Sequence, residues 1–397
     1  MAYLRNSAVN LLNLHYGMHA LALNGAGVFF FVFLLKAGVP IPAVFIAIAL
    51  TVAARFLFRP LILVLAPRWG LRALVAFGTM FTGVQYLFLA EVHGVDSMLL
   101  GFCLSAAIGD VFYWTCYHAY FAALGDAEHR GHQIGAREAL GSLAAIIGPL
   151  IGAWALTTLG PRVAFGAAAV IHVLAAMPFA GTPDVKVARK MSGVFRTAVP
   201  GILLFAADGW IASGFVFVWQ IALFLVLGER FSAFGGALAL AGLVGAIGGL
   251  LVGRHIDAGH GGRAVWLTFA GVAAVTLLRA ASTGNVAMAV AANALGTLVG
   301  CLYIPTLMTA VYNQAKSSPC ALRFHVATEG GWDVGCAAGC LAAAGLTFAG
   351  VPLPAGILLS LAGTLLSLVL LRRYYAALGI AVDLTIVEPP SGALREP

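Results

Sequence analysis

The chain has 397 residues, of which 61% are apolar and only 9% charged, and its mean hydropathy is +0.98. Soluble domains carry about 25% charged residues, so this composition excludes a water-soluble globular protein. The formal net charge is +7, but the basic residues are scattered between apolar segments. They do not cluster on one solvated face, so the chain is not expected to bind nucleic acid. The composition predicts an integral membrane protein that contacts lipid.

Twelve apolar segments follow one another along the chain, separated by Gly, Pro and charged residues. Each is long enough for a transmembrane helix, which needs about 20 residues. We predict an all-α membrane protein with twelve transmembrane helices in two related six-helix bundles. The predicted spans are 14–36, 41–66, 71–90, 97–124, 134–158, 162–181, 197–227, 232–253, 264–281, 285–314, 322–349 and 353–375.

The longest connection divides the spans six and six, and it contains both acidic and basic residues. The predicted domains are therefore an N-terminal bundle (1–181), a cytoplasmic loop between the bundles (182–196), a C-terminal bundle (197–375) and a disordered cytoplasmic tail (376–397). No removable signal peptide is expected, because the polar N-terminus lacks a short apolar core followed by a cleavage site.

The distribution of Lys and Arg predicts the orientation of the chain. These residues concentrate on the cytoplasmic side of membrane proteins, and here most of them fall on alternate connections. With both termini inside, only Lys36, Arg162, Arg230 and Arg279 lie on the outer side, while Arg55 and Arg59 fall within the second span. The excess of Arg over Lys and the abundance of Ala and Gly favour a bacterial inner membrane.

A short pattern recurs about half the chain apart. Glu138 near the inner end of the fifth span precedes Gly148, and Glu329 precedes Gly339 in the eleventh span by the same interval. Parallel six-helix repeats are one route to transporters that bind solute at the midplane. The pattern therefore supports two related halves.

The loop after the eighth span resembles the gating signature of the major facilitator superfamily. It contains Gly253, Asp257 and Arg263, and the loop after the second span retains Arg68, Gly70 and Arg72. In this first copy Leu63 and Pro67 replace the Gly and Asp of the signature, so the first half departs from the pattern at its inner-gate ion pair. The resemblance covers essentially the whole chain and implies a solute transporter that works by alternating access.

The fifth span is similar to the antiporter motif of that family through Gly135, Gly148, Pro149 and Gly152. In relatives this motif belongs to proton-driven exporters, so export by proton antiport is the favoured function. Two alternatives remain: proton-coupled or facilitated uptake of a polar metabolite or metal chelate, and a non-transporting receptor or membrane enzyme on the same fold.

Ionisable residues at membrane depth mark candidate sites, because a charge at the bilayer centre costs about 2.5–3.5 kcal/mol on insertion scales. Counting along the spans places Arg55, Asp110, Asp208 and Asp333 near the midplane with Asn24, and Arg59 nearer the cytoplasmic side. The predicted proton-coupling residues are Asp110, Asp208, Asp333, Glu138 and Glu329. The alternative is a set of structural ion pairs.

Aromatic and polar residues share these helices and suit an organic solute with an apolar or cationic part. The predicted substrate-binding residues are Asn24, Arg55, Tyr113, Trp114, Tyr117, His118, Trp210, Gln220 and Trp332. Packing and interfacial anchoring are the alternative roles for such side chains. For His15 and His19, interfacial anchoring is favoured over metal binding.

The sequence contains neither a phosphate-binding glycine loop nor a serine-nucleophile motif. We therefore expect a protein that is not an enzyme, binds no metal or cofactor, and runs on gradients. The expected partners are a small-molecule substrate, protons and membrane lipid, and the protein is expected to be a monomer.

Overall fold

The computed structural model describes residues 6–125, 130–187, 194–256 and 261–385, and the regular structure within these ranges is entirely helical. Twelve helical spans are present, two of them in two pieces. They are α1 (Ser7–Lys36), α2 (Ile41–Phe58 and Pro60–Trp69), α3 (Leu71–Ala90), α4 (Ser97–Leu124), α5 (Arg130–Thr158), α6 (Pro161–Gly181), α7 (Val194–Val226), α8 (Phe231–Ile256), α9 (Gly261–Ala281), α10 (Val286–Ser317), α11 (Ala321–Phe348) and α12 (Leu353–Leu358 and Ser360–Thr385).

The prediction of a twelve-helix membrane fold is confirmed. Eleven helices are long and apolar enough to cross a membrane, and the apolar part of α9, Val265–Ala281, is the twelfth span. Large apolar side chains such as Leu57 and Phe348 are exposed on the outside of the molecule. Lipid, not water, solvates this surface.

Helix ends follow local sequence signals. The side chains of Asp96 and Asn285 accept hydrogen bonds from backbone N–H groups in the first turns of α4 and α10, as N-cap residues do. Gly38 and Gly228, just after α1 and α7, have φ of 84° and 71°. Glycine adopts this left-handed conformation without steric cost, so the chain reverses direction there.

The two bundles repeat the same packing, as predicted from the Glu138 and Glu329 pattern. In the N-terminal bundle α5 packs on α1, and in the C-terminal bundle α11 packs on α7. A Cβ on Gly148 would lie 2.7 Å from Asn24 of α1, and one on Gly339 would lie 2.2 Å from Ser213 of α7. Each glycine therefore allows the fifth helix of its bundle to approach the first.

Two helix pairs make the most extensive contacts between the bundles: α2 with α11, and α5 with α8. We call these contacts the α2–α11 seam and the α5–α8 seam. We call the side on which α1 begins the inner side of the molecule and the opposite side the outer side.

The outer halves of the two bundles are packed together. Phe29 of α1 lies 5.7 Å from Phe234 of α8, and Phe31 lies 5.3 Å from Phe217 of α7, measured between ring centroids. All four belong to, or pack against, one buried cluster that spans both bundles. On the inner side the buried residues form two smaller clusters, one centred on each bundle, and Leu322 and Val326 of α11 belong to the N-terminal one. The structure is therefore a conformation closed on its outer side.

Several boundaries differ from the predicted ones; α1, for example, begins at Ser7 and not at residue 14. Helix α12 continues to Thr385, past the predicted end at residue 375, because Ala376 and Ala377 extend its apolar pattern. Helix α7 begins at Val194, inside the predicted loop. Residues 188–193 of that loop and 386–397 of the predicted tail lie outside the described ranges.

Candidate functional site: a charged network between the bundles and two cavities

Two arginines of α2 form the centre of a charged network. Arg55 and Arg59 are four residues apart, so both side chains project from the same face of the helix. Helix α11 faces them with Glu329 and Asp333, which are also four apart. The α2–α11 seam therefore brings two cationic side chains of one bundle against two acidic side chains of the other.

Asp333 is the most tightly held acid of the network. It is fully buried, and its carboxylate oxygens lie 2.9 Å from Nε of Arg59 and 3.2 Å from Nε of Arg55. Nη1 of Arg59 also donates a hydrogen bond of 3.0 Å to the hydroxyl of Thr115 on α4. Arg59 is thereby fixed to both bundles.

The other two acids are held more loosely. Asp110 of α4 lies 3.4 Å from Nη1 of Arg55, and its side chain is 29% exposed. Glu329 lies 3.9 Å from Arg55 and 3.7 Å from Arg59, and its side chain is 20% exposed. Asp110 and Glu329 thus reach Arg55 from opposite bundles, and both remain accessible.

The network contains three carboxylates but only two guanidinium groups. A buried charge without a partner is costly, so an excess carboxylate at such a site is neutralised by a proton. Because Asp333 is paired with both arginines, Asp110 and Glu329 are the acids that the two guanidinium groups compensate least.

Trp332 links this network to Asp208. The guanidinium of Arg55 lies 5.2 Å from the centroid of the Trp332 ring, a cation–π contact. Trp332 also interacts electrostatically with Asp208, whose carboxylate accepts a hydrogen bond from the hydroxyl of Tyr303 on α10. Asp208 is therefore satisfied by a neutral donor within its own bundle.

Two cavities lie between the bundles. The larger, of about 270 Å³, is lined by α1, α5, α7, α8, α9 and α10, and the smaller, of about 140 Å³, by α1, α2, α3, α4 and α7. Asn24, Gln220 and Trp219 line the larger cavity. Arg55 and Asp110 line the smaller one, which places the loosely held acid at a cavity wall.

The structure separates the predicted substrate-binding residues into two groups. Asn24, Gln220 and Arg55 line the cavities, and Trp332 contacts Arg55 and Asp208. Among the remaining residues, the indole N–H of Trp210 donates to the carbonyl oxygen of Leu359, where α12 is interrupted. Trp210 is thus directed toward α12 and not toward either cavity.

Tyr113 and Tyr117 are fully buried inside the N-terminal bundle, and neither lines a cavity. The Tyr113 hydroxyl lies 3.2 Å from Nε2 of His15, and the ring of His19 stacks on that of Tyr113 at 3.9 Å. The expectation that His15 and His19 anchor the chain at the interface is wrong, because both are buried.

Trp114 and His118 stand beside this aromatic group. They are partly buried, and their rings stack at 5.9 Å between centroids. Glu329 is close enough to His118 to interact with it electrostatically. His118 is therefore directed toward the inner side of the charged network.

Glu138 does not reach the midplane network. It is exposed at the inner end of α5 and pairs with its neighbour Arg137 at 2.6 Å. The guanidinium of Arg137 lies 5.3 Å from the centroid of the Tyr16 ring. The two glutamates of the repeat thus occupy different environments, since Glu329 lies at the α2–α11 seam.

The inner loop after α2 is held by a residue that the loop signature does not contain. Asp184, from the connection after α6, accepts a hydrogen bond of 3.3 Å from the backbone N–H of Arg72, and a Cβ on Gly70 would collide with its carboxylate. Asp184 thereby takes the place of the acid that Pro67 replaces. Arg68 is exposed at the inner end of α2.

The remaining gating candidates lie on α5 and around the loop after α8. Pro149 lines the larger cavity next to Gly148, where α5 crosses α1. Gly253 and Arg263 belong to α8 and α9. Asp257 lies outside the described residues.

Sequence reasoning missed Arg59 as a site residue, and it predicted Glu329 as a proton-coupling residue but placed it nearer the inner side. Both belong to the same network as Arg55 and Asp333. The i,i+4 spacing of the two arginines and of the two acids is the signal that connects them. Thr115, Tyr303 and Asp184 carry no sequence signal beyond their helix or loop.

Two bundles of six helices, parted by cavities and joined by a charged seam, define a membrane transporter of the alternating-access class. The sequence matches the Major Facilitator Superfamily over residues 14–339, and the chain belongs to that family. It is a multi-pass secondary transporter.

The fold resembles that of solved transporters. One is the POT family transporter PepTSo, with a TM-score of 0.66 and 12% sequence identity, covering 96% of this chain and 99% of that one. Another is an auto-inhibited POT family peptide transporter, with a TM-score of 0.62 and 12% identity, covering 98% and 99% of the two chains. At this identity the likeness concerns the fold alone. No curated protein sequence matches the chain.

Proposed function

We propose that the protein exchanges a small organic solute for protons, and that Asp110 and Glu329 share the coupling proton. The observation that supports this most is the unequal charge of the network, three carboxylates against two arginines. Both loosely held acids are partly exposed, so protons reach them without unfolding the seam.

Protonation of the pair is coupled to the relative position of the bundles because the acids belong to different bundles. Asp110 approaches Arg55 within its own bundle, whereas Glu329 approaches it across the seam. A proton on Glu329 weakens the attraction between the bundles, and a proton on Asp110 strengthens the hold of Glu329 on Arg55. Proton binding thus biases the equilibrium between the two conformations of the transporter.

Support for export comes from α5. Of the residues similar to the antiporter motif, Gly148 and Gly152 lie at its crossing with α1, where a Cβ on Gly152 would collide with the carbonyl oxygen of Gly25. Small residues at such a crossing allow close helix packing in lipid. In the proposed orientation, both termini are cytoplasmic and the closed side faces outward from the bacterial inner membrane.

The direction of coupling is tested in proteoliposomes whose interior is acidic and contains a pH-sensitive dye. The probes are ethidium, dialanine and benzoate, each added outside, with protein-free liposomes as the correction for passive permeation. Antiport makes the interior more alkaline when a probe enters. Symport acidifies it further, and facilitated diffusion leaves the dye signal unchanged for a non-titrating probe.

The proton role is tested with Asp110→Asn and Glu329→Gln. Each is expected to abolish transport driven by the pH gradient while retaining exchange of labelled for unlabelled probe, which moves no net proton. Asp208→Asn is the matched control, because Asp208 is satisfied within one bundle, and it should retain coupling. Full coupling in both Asp110→Asn and Glu329→Gln would overturn the proposal.

A further inference from the structure

The side chain of Arg279 lies in a different environment from the one that the sequence predicts. The residue lies in the last turn of α9, at the outer end of the molecule, and was expected on the outer surface. The structure shows it only 4% exposed, with its side chain directed into the larger cavity. The side chain crosses α10 at Gly296, where a Cβ would lie 1.8 Å from Nη2 of the guanidinium.

The guanidinium is held in place by neutral groups. Its Nη1 donates to the carbonyl oxygen of Phe215, which belongs to a π-helical turn of α7 (Ser213–Val218). Wide turns of this kind leave carbonyl groups available for other donors. The rings of Phe215 and Trp219 lie 4.1 and 5.0 Å from the central carbon of the guanidinium.

The positive charge of Arg279 has no acidic partner among the residues that the structure describes. The ion pairs found there involve other arginines and lysines. The Nε atom of Arg279 is buried without a hydrogen-bond partner, and so is Oε1 of Gln220 in the same cavity wall. An unpaired buried cation is costly to the folded protein unless an anion binds beside it.

Neighbouring residues orient the cavity wall. The indole N–H of Trp219 donates a 3.0 Å hydrogen bond to Oδ1 of Asn293, whose amide nitrogen donates to the carbonyl oxygen of Ala237. Trp219 is therefore fixed with its ring beside Arg279. The cavity, of about 270 Å³, thus combines one cation, aromatic walls and the amide side chains of Asn24 and Gln220.

We propose that Arg279 binds the carboxylate of a small organic monoanion, whose apolar body packs against Phe215 and Trp219. A planar carboxylate matches the donors of a guanidinium better than a spherical ion does. Gln220 and Asn24 then hydrogen-bond to polar groups of the same molecule. This inference rests on the proposed function, because it takes the larger cavity as the place where the transported solute binds. It adds the chemical class of that solute.

The test is calorimetric binding to the purified protein, with sodium benzoate as the anionic probe and benzamide as the neutral probe of the same shape. Benzoate should bind the unmodified protein, and benzamide should bind at least tenfold more weakly. Benzoate binding should weaken at least tenfold in Arg279→Gln and less in Arg279→Lys. Chloride at the same concentration as benzoate should not displace it.

Two matched comparisons test whether binding depends on the position of the Arg279 guanidinium, and not merely on the number of arginines in the protein. Gly296→Ala keeps Arg279 but fills the space of its guanidinium, so benzoate binding should weaken, whereas a Cβ on Gly300 of the same helix meets nothing within 4 Å and Gly300→Ala should bind normally. Arg162→Gln removes an arginine paired with Glu91 at the outer surface and should bind normally. Thermal melting of each variant confirms folding before calorimetry.

The inference is overturned if benzoate fails to bind, if benzamide binds equally well, if chloride displaces benzoate, or if Arg279→Gln binds benzoate with unchanged affinity. Binding is measured without a proton gradient, so it is independent of coupling. Asp110→Asn should still bind benzoate, because Asp110 lines the other cavity. Loss of coupling in Asp110→Asn with normal benzoate binding supports both proposals. Full coupling in both Asp110→Asn and Glu329→Gln overturns the proton role alone, and unchanged benzoate affinity in Arg279→Gln overturns this inference alone.

Discussion

The two seams that join the bundles consist of different kinds of contact. At the α2–α11 seam, Arg55 and Arg59 contact Glu329 and Asp333 through charged groups. At the α5–α8 seam the backbones themselves approach, since a Cβ on Gly242 would lie 2.6 Å from the carbonyl oxygen of Ala145. One seam consists of ionisable side chains, and the other consists of small residues in close contact.

This difference suggests that the two seams have different roles in the movement of the bundles. Charged contacts change strength when a proton binds, whereas contacts between small residues in lipid depend on van der Waals packing and do not titrate. The α5–α8 seam therefore supplies a constant contact about which the bundles move. The α2–α11 seam supplies the contact whose strength the proton changes.

The largest effect on this comparison is expected from Asp333→Ala. Removing Asp333 takes away the acid that holds both arginines most closely, since Asp110 and Glu329 lie 3.4–3.9 Å from them. Breaking a buried ion pair in this way costs about 3–5 kcal/mol. The melting temperature of the purified protein should fall sharply. The double variant Arg59→Met/Asp333→Leu removes both charges and should recover most of the loss. Equal destabilisation by both variants would contradict a dominant charge effect.

The next largest effect is expected from Gly242→Ala in the α5–α8 seam. The added methyl group collides with the backbone of α5, and overpacking costs about 1–3 kcal/mol. Gly236→Ala on the same helix is the matched control, because a Cβ there meets nothing within 4 Å. Thermal melting should show a lower melting temperature for the first variant only. Its loss of stability should not depend on pH, in contrast to variants of the α2–α11 seam.

A smaller, pH-dependent effect is expected from Asp184→Asn in the inner loop. Partial burial acts to raise the pKa of Asp184, but hydrogen bonds from Lys186 and from the backbone N–H of Arg72 outweigh it and lower the pKa. A lowered pKa means that the carboxylate stabilises the fold above its unfolded value of about 3.9 and loses this contribution as pH falls through the folded value.

The melting temperature of Asp184→Asn should therefore be lower than that of the unmodified protein at neutral pH. The difference should shrink as the pH falls below about 3.9 and vanish once the pH is below the lowered pKa of Asp184 in the folded protein. A difference that stays constant down to acidic pH would contradict an ionic contribution from Asp184.

The smallest effect is expected at the outer surface, where Lys36 lies 3.0 Å from Glu229 and joins α1 to the loop after α7. Both side chains are more than 40% exposed, and such surface pairs contribute about 0–1 kcal/mol. Lys36→Ala should leave the melting temperature nearly unchanged, because the aromatic contacts below it hold the outer side closed. A large fall in melting temperature would show that the ion pair, and not Phe29 and Phe234, closes this side.

The sequence was sufficient to predict the helices, because apolar runs bounded by Gly and charge mark each span. It also predicted one cluster of Arg55, Asp110, Asp208 and Asp333. The structure brings Arg55, Asp110 and Asp333 together but pairs Asp208 with Tyr303 instead. Sequence reasoning misplaced Arg59 and Arg279, because counting residues gives the height of a Cα atom in the membrane. The direction of a long side chain around its helix is a separate quantity. Only the packing at Gly296 shows that the guanidinium of Arg279 turns inward.

The aromatic residues of α4 show a second limit of the same kind. Tyr113 and Tyr117 follow Asp110 within two turns, so the sequence places all three on one cavity-lining helix. The helix is surrounded by its own bundle on most sides, however, and these tyrosines face His15 and His19 instead. Which face of a buried helix borders a cavity depends on the neighbouring helices.

The proposed mechanism requires the α2–α11 network to bind one proton, because its three carboxylates outnumber its two arginines by one. Infrared difference spectroscopy measures this directly through the carbonyl stretch of a protonated carboxylic acid, recorded against pH. The unmodified protein should show one such titrating group from the network at neutral pH. Asp110→Asn and Glu329→Gln should each lose its signal, Asp208→Asn should keep it, and Arg55→Gln should increase it. A signal that is unchanged in both Asp110→Asn and Glu329→Gln would contradict the account.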